Sequence, residues 1–406
     1  MVSSGPGDTH SDAILCIVDH LPDPRRTGRE ARQLELVGAL AATGAAVTVW
    51  AEHGGDSGAS AEDRESLDVQ WEAPPPDHRW SPGAAVSLST QLENLLSRPW
   101  ELVVVAGPRH TVAVSRILRR RSHQIPVVTD LAGVRFPAAH TRTGTIDRDD
   151  PTYKQLLTAV SGADGVITVS GPDAGVLEAA QPGRPVFTFH ALGSGFAPET
   201  PTSSPGGGLL YVGDLLHHPN LQSVEWWIEG LAARVHARAG RPVPLRVVGR
   251  GSDAYRRLWN RPGRVEVAGW QPNIHTEYAA ARLMVVPLPY ATGTGGRIAA
   301  ALAAGTPVVA SASAARVLDP ELQGLVSTGE DADELVDHIA RLMSDDEAWV
   351  EARRKIQTVD FTAHREARLD RLTDWVAAAR PLASSGRISS RRFGSRTTRR
   401  PQIRAS

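Results

Sequence analysis

The chain has 406 residues, 41% of them apolar and 22% charged, which is ordinary for a globular protein and leaves room for two domains, or three. Its 44 basic and 45 acidic residues give a formal charge of −1, so the body offers no general electrostatic attraction for nucleic acid. A single cysteine excludes an internal disulfide, no apolar run approaches the roughly 20 residues that span a bilayer, and the opening MVSSGPGDTHSD lacks a basic-then-apolar signal peptide, so a cytoplasmic protein is expected.

After a disordered start over residues 1–12, residues 13–19 form a short apolar run of the kind buried in a parallel sheet, with Cys16 as a small core residue. A polar, proline-rich loop over 20–28 leads into a helix over about 29–43, which Gly44 closes, and residues 46–50 give the next strand. This βαβ unit lacks the G-x-G-x-x-G turn of a dinucleotide site, which argues against an NAD-dependent oxidoreductase. Further strands are expected at 102–106, 126–129, 165–170 and 185–189, with long polar loops over 52–83 and 141–151. The run PETPTSSPGGG, residues 198–208, reads as a linker with the hinge within 196–208, separating an N-terminal domain (13–200) from a C-terminal one (207–362). A second strand series then runs 209–213, 244–249, 264–269, 283–287 and 307–310, its longest helix spanning 221–239. A helix over 363–380 precedes a basic tail, 381–406, expected to be disordered; it could contact anionic lipid or RNA, or be a solvated tail with no dedicated partner.

The segment TGTGGRIAAALAAGTPVVA, residues 292–310, carries the clearest chemistry. Gly293, Thr294, Gly295, Gly296 and Arg297 run from a strand straight into a small-residue helix. Glycines let the backbone approach a ligand, a helix N-terminus favours negative charge, and an arginine adds planar phosphate recognition. The plainer alternative is a βαβ unit whose glycines only punctuate turns.

Several motifs, in order, resemble a known family. The run from Val18 to Gly28, VDHLPDPRRTG, is similar to VDHHVPTPDRDSG; LYVG at 210–213 with HHPN at 217–220 resembles LFVGGFxHxPN; PLPYATG at 287–293 resembles PLRYGAG; residues 301–309 resemble AMSxGxPVV. Together they resemble GT-B glycosyltransferases of family 4, the group 1 type, and among them enzymes of bacterial polysaccharide and O-antigen assembly. The resemblance implies an α/β protein of two Rossmann-like domains facing a central cleft, with helix 363–380 packed back on the N-terminal domain. It implies a retaining, metal-independent transfer from a nucleotide-sugar to a glycan or small-molecule acceptor, with no cofactor. Arg297 and Arg250 would be the catalytic cations. Gly28, Gly213, His217, Asn220, Gly249, Trp270, Gly293, Thr294, Gly295 and Gly296 would line the donor, and Asp130 and Arg135 the acceptor side. Asp130 also reads as a helix cap or turn acid.

The chain departs from that pattern in specific places. Gly295-Gly296-Arg297 stands where the group has K-G-K; Thr292 and Ala300 stand where many members have paired glutamates; Arg316 lies near an expected acidic residue. A carboxylate restored at Ala300 is expected to reach the ribose of the donor. These losses keep open a second reading, a degenerate glycosyltransferase acting as a non-catalytic binding or regulatory partner. His217-His218 lacks an acidic or cysteine partner at metal spacing, and at least one of Trp226 and Trp227 is expected in the core.

Overall fold

The computed structural model describes residues 13–23, 28–53, 64–73, 88–121, 125–132, 149–191, 207–260, 264–288 and 295–379. The terminal segments 1–12 and 381–406, most of the 196–208 hinge, Arg135, Gly293 and Thr294 lie outside them.

The first domain builds one sheet from β1 (Ala13–His20), β2 (Ala46–His53), β3 (Val69–Glu72), β4 (Leu102–Ala106), β5 (Val127–Asp130), β6 (Gly165–Thr168) and β7 (Val186–Thr188). The helices between them are α1 (Gly28–Ala42), α2 (Leu88–Leu95), α3 (Pro108–Arg120), α4 (Pro151–Gly162) and α5 (Gly171–Ala180). The strand order is β3-β2-β1-β4-β5-β6-β7, and every pair is parallel. A parallel strand covered on both faces must be apolar throughout, and Leu102, Val103, Val104 and Val105 are all fully buried.

The second domain repeats the plan. Its strands are β8 (Leu209–Val212), β9 (Leu245–Val248), β10 (Val265–Gly269), β11 (Leu283–Val286), β12 (Val308–Ser311) and β13 (Ser327–Gly329), in the parallel order β10-β9-β8-β11-β12-β13. Its helices are α6 (His218–Trp226), α7 (Ala232–Ala239), α8 (Ser252–Trp259), α9 (Ile274–Ala280), α10 (Gly296–Ala303), α11 (Ala312–Ala315), α12 (Pro320–Gln323), α13 (Ala332–Ser344) and α14 (Asp346–Gln357), followed by α15 (Phe361–Ala379). The two-domain α/β organisation expected from the sequence is present. In each sheet the order reverses once, between β1 and β4 and between β8 and β11, and ligands of open α/β sheets bind beyond the strand carboxyl ends at such points.

Three local expectations are corrected. Residues 52 and 53 complete β2, and β3 lies where a loop is expected; a four-residue edge strand pairs with one neighbour and carries little apolar signal. The three-residue β13 escapes for the same reason. The helix expected over 221–239 starts at His218 and is interrupted by a π-helical turn at Trp227–Leu231. That turn re-phases the helix so that Trp227, Leu231 and Val235 all point into the core, fully buried, while Trp226 packs at its margin.

Helix α15 ties the domains together. Phe361 packs on the core of the second sheet, whereas Leu372, Trp375, Val376 and Ala379 belong to the core of the first. The Trp375 ring sits 5.5 Å from that of Phe187 and would be only 3.0 Å from a Cβ at Gly165. Beside the helix, Asp319 of the second domain caps α12 by accepting from the Glu321 amide (3.0 Å). Its other oxygen pairs with Arg368 of α15, lies 3.6 Å from His364 Nε2, and lies 3.8 Å from His190 Nδ1 beyond β7. His190 is 6% exposed, and neither ring nitrogen has a hydrogen-bond partner among the described residues.

Burial pushes the His190 imidazole down to about 3, and Arg368, Arg32, Arg371 and His364 add to the shift. The folded protein thus keeps this ring neutral, while the unfolded chain takes up a proton once pH falls through about 6.5. Stability supported by the neutral ring is complete above pH 6.5 and declines as pH falls toward 3, by at most about 1.4 kcal/mol per unit. Urea denaturation of wild type and His190→Gln between pH 7 and 4.5 should give curves that diverge on the acid side, the wild type falling more steeply; parallel curves would contradict the account.

Candidate functional site

The carboxyl end of the second sheet is built by close backbone approach. Beyond β8, the Gly213 amide donates to Val248 O (2.9 Å), and beyond β9 the Gly249 amide donates to Gly269 O (3.0 Å). Gly249 has φ 143°, and a Cβ there would fall 1.9 Å from Gly213 O, so no side chain fits. A Cβ on Gly213 would meet Arg297 Nη1 at 2.9 Å and Asn220 Cγ at 3.2 Å. Gly295, with φ 68°, caps α10 and starts the helix that carries Arg297.

Arg297 reaches from the first turn of α10 to the end of β8. Its Nη1 donates to Val212 O (2.8 Å) and to the Tyr211 hydroxyl (3.3 Å), its Nη2 donates to Asn220 Oδ1 (2.6 Å), and the guanidinium lies 5.8 Å from the Tyr211 ring centre. Asn220, 4% exposed, is fixed in turn by donating from Nδ2 to Asp214 O (2.9 Å). Burial pushes the Tyr211 phenol up, against the pull of Arg297, so it stays a neutral partner. Among the described residues no carboxylate pairs with Arg297; carbonyl and hydroxyl dipoles hold it, and its positive charge is uncompensated. Arg250 differs: its Nη2 bonds Asp214 Oδ2 at 2.5 Å. The second cation named in the sequence is therefore paired with Asp214 in this structure, with both side chains partly exposed.

The other residues singled out in the sequence fall as follows. His217 is the N-cap residue of α6, and Trp270 follows β10 with 48% of its surface exposed. Gly28 opens α1 rather than lying within a loop. Asp130 does not face an acceptor: it is 1% exposed, both its oxygens accept from Arg32 Nη1 (3.0 and 2.9 Å), and Oδ1 also receives the Ala132 amide (3.3 Å). Arg32 is itself fully buried and donates from Nε to Phe189 O (2.9 Å), so the pair braces the first domain, where removing one member of a buried ion pair costs about 3–5 kcal/mol. Ala300 is 3% exposed within the apolar cluster behind α10, which corrects the expectation that a glutamate there would reach a ribose; it would bury a carboxylate in the core.

The sequence reading missed a second constellation, at the carboxyl ends of β1, β2 and β4. Asp19, Glu52, Arg29, Arg109 and His110 meet there. Arg29 Nη2 donates to Asp19 Oδ2 (3.3 Å); Arg109 donates to both Glu52 oxygens and has Nη2 3.7 Å from Asp19 Oδ1. His110, 1% exposed, bonds Glu52 Oε2 through Nε2 (2.8 Å) and places Nδ1 3.2 Å from Asp19 Oδ1 without hydrogen-bond alignment. Behind them His53 Nδ1 contacts Asp19 O (3.1 Å) and stacks on His20, ring centres 4.8 Å apart. Burial would raise the Glu52 carboxyl, but hydrogen bonds from Arg109 and His110 hold it below its usual range. Asp19, Glu52 and His110 offer oxygens and a nitrogen within 4.8 Å of one another, a spacing that could hold a metal ion, but Arg109 already lies against both carboxylates. The available signal was charged residues directly after apolar runs, as in LVVVAGPRH.

Residues 206–345 match the family model described as glycosyl transferases group 1. Among curated proteins, none matches the chain by sequence. Solved structures that resemble it include HepE of Anabaena in complex with UDP and glucose (17% identity, TM-score 0.61, covering 91% of this chain and 99% of that one). They also include sucrose-phosphate synthase from Thermosynechococcus elongatus (17%, 0.58, 91% and 97%) and WaaG, a glycosyltransferase involved in lipopolysaccharide biosynthesis (15%, 0.56, 89% and 99%). No described helix is long and apolar enough to cross a membrane. The chain therefore has the GT-B glycosyltransferase fold and resembles the group 1 glycosyltransferases, its second domain matching that family directly.

Proposed function

We propose that the protein transfers a sugar from a nucleoside-diphosphate sugar, held by the second domain, to a hydroxyl group of an acceptor on the first, with retention of configuration and without a metal. The observation that carries this reading is Arg297: a guanidinium at a helix N-terminus and a strand carboxyl end, held by dipoles and paired with no described carboxylate. Such a cation is organised before an anion arrives, which is the arrangement that stabilises charge developing on a departing diphosphate. In the transfer, the bond from the anomeric carbon to the diphosphate oxygen breaks, the acceptor oxygen bonds that carbon, and the acceptor proton passes to the leaving diphosphate. The fold relative HepE is described in complexes with UDP and with UDP-glucose, which supports a nucleotide-sugar donor here.

The glycine shell serves the same end. Gly213 leaves room for Arg297, and the Gly249 turn draws β9 against β8, so the backbone itself borders the ligand space. Arg250, directly after Gly249, is paired with Asp214 beyond β8.

A charge-assisted bidentate contact contributes about 1.5–3 kcal/mol, so Arg297→Ala should weaken binding of the matching nucleoside diphosphate by at least tenfold. Arg297→Lys, which keeps the charge and loses the fork, should fall between the two. Calorimetric titration with UDP, ADP and GDP measures this, with the melting temperature reporting that each variant is folded. Equal affinity in wild type and Arg297→Ala would overturn the assignment.

A further inference from the structure

We propose that His190, His364 and Asp319 form a binding site for a zinc-class transition-metal ion, which clamps the first domain to the second. Glu321 acts as a positioning residue for His364. The inference is independent of the transferase reading, because the ion would hold the fold and touch no reacting group.

The first support is where the donor atoms lie. Asp319 Oδ1 caps α12 by accepting the Glu321 amide (3.0 Å), which fixes the carboxylate and leaves Oδ2 toward the junction. His364 Nε2 lies 3.6 Å and His190 Nδ1 3.8 Å from that second oxygen. Zinc bonds of about 2.0–2.1 Å at tetrahedral angles set donor atoms roughly 3.4 Å apart, so each ring is close to a ligating distance from Oδ2. Asp319, Glu321 and His364 already offer donor atoms within 4.8 Å of one another. His190 lies outside that group and joins it across the domain boundary, so an ion would draw its ring inward.

The second support is unmet bonding capacity. Asp319 Oδ2, His364 Nε2 and both ring nitrogens of His190 are buried atoms without a hydrogen-bond partner among the described residues. His190 is 6% exposed and Asp319 2%, so bulk water does not supply the missing contacts. His364 is also oriented for the task. Its Nδ1 meets Glu321 Oε2 at 3.0 Å, and an ionised carboxylate only accepts, so Nδ1 carries the proton and Nε2 presents a lone pair. A carboxylate behind the imidazole is how metal-bound histidines are held.

The third support is charge. Arg368 presents its guanidinium to the same Asp319 oxygen, so a cation already belongs at this place. Arg109 lies against two acids, whereas Arg368 meets one, and its Nε has no partner among the described residues. With Arg368 swung aside, Asp319 and Glu321 balance a doubly charged ion. Of the other cations that act on His190, Arg32 is held by Asp130, while Arg371 remains an opposing charge. Two imidazoles and a carboxylate suit zinc, cobalt or nickel; calcium and magnesium prefer shells of oxygen.

Competition of tag-free, EDTA-stripped protein against a chromophoric zinc chelator tests the site. Wild type should bind one zinc ion per chain at micromolar affinity or tighter, with a raised melting temperature, and magnesium should not compete. Glu321→Gln should weaken binding about tenfold, and His190→Gln and His364→Gln should each weaken it further. Arg368→Met, which removes the competing guanidinium, should tighten binding, a gain that a misfolded variant cannot mimic. Glu52→Gln, at the other acid–histidine cluster, should leave zinc affinity unchanged; circular dichroism reports that each variant is folded. Absence of micromolar zinc binding by wild type, unchanged affinity in both histidine variants, weaker binding by folded Arg368→Met, or loss of the ion in Glu52→Gln would each overturn the proposal.

Discussion

The carboxyl end of the second sheet depends on the contact between Gly213 and Gly249. Two strand ends approach so closely that a single Cβ on Gly249 would lie 1.9 Å from the opposite carbonyl oxygen. The approach sets the turn after β8, and that turn carries Asp214 and, through Asn220, one side of the Arg297 cradle. Asp214 pairs with Arg250, while Arg297 has no carboxylate partner among the described residues. The site's charge is therefore a product of backbone geometry as much as of side-chain identity.

The two sheets share a topology and use it with opposite electrostatics. At the reversal point of the second sheet a cation stands without a counter-ion among the described residues; at that of the first, acids and arginines cancel. Between the sheets, α15 and Asp319 hold the halves by buried contacts: Trp375 in the first core, Phe361 on the second, and Arg368 with two histidines around one carboxylate. A nearly dry ionic junction of that kind resists removal of any single partner, because the charge left behind has no water to turn to.

Much of the fold was legible in the amino-acid sequence. Apolar runs such as AILCIV and LVVVA admit few alternatives to buried parallel strands, and their alternation with helices fixes the class. The glycines of the second domain were legible for the same local reason. What escaped depends on pairing across the chain. Arg250 and Arg297 look alike in sequence; only the partner 36 residues before Arg250 tells them apart. Asp130 sits at a strand end as a ligand-facing acid would, yet Arg32, 98 residues earlier, claims it. Glu52 and His110, 58 residues apart, gave no motif, since their proximity exists only once β1, β2 and β4 are side by side. Ala300 was misjudged because helical phase, not proximity to the glycine loop, decides that it faces the core.

The central claim is that a nucleoside diphosphate is held by the carboxyl end of the second sheet around Arg297. Hydrogen–deuterium exchange with and without a saturating nucleoside diphosphate tests it most directly, because it reports where in the chain the ligand acts. The account predicts added protection confined to peptides covering 209–220, 245–251 and 295–303, the segments that hold Gly213, Gly249 and Arg297. Protection centred on the first sheet, with those three segments unchanged, would contradict it.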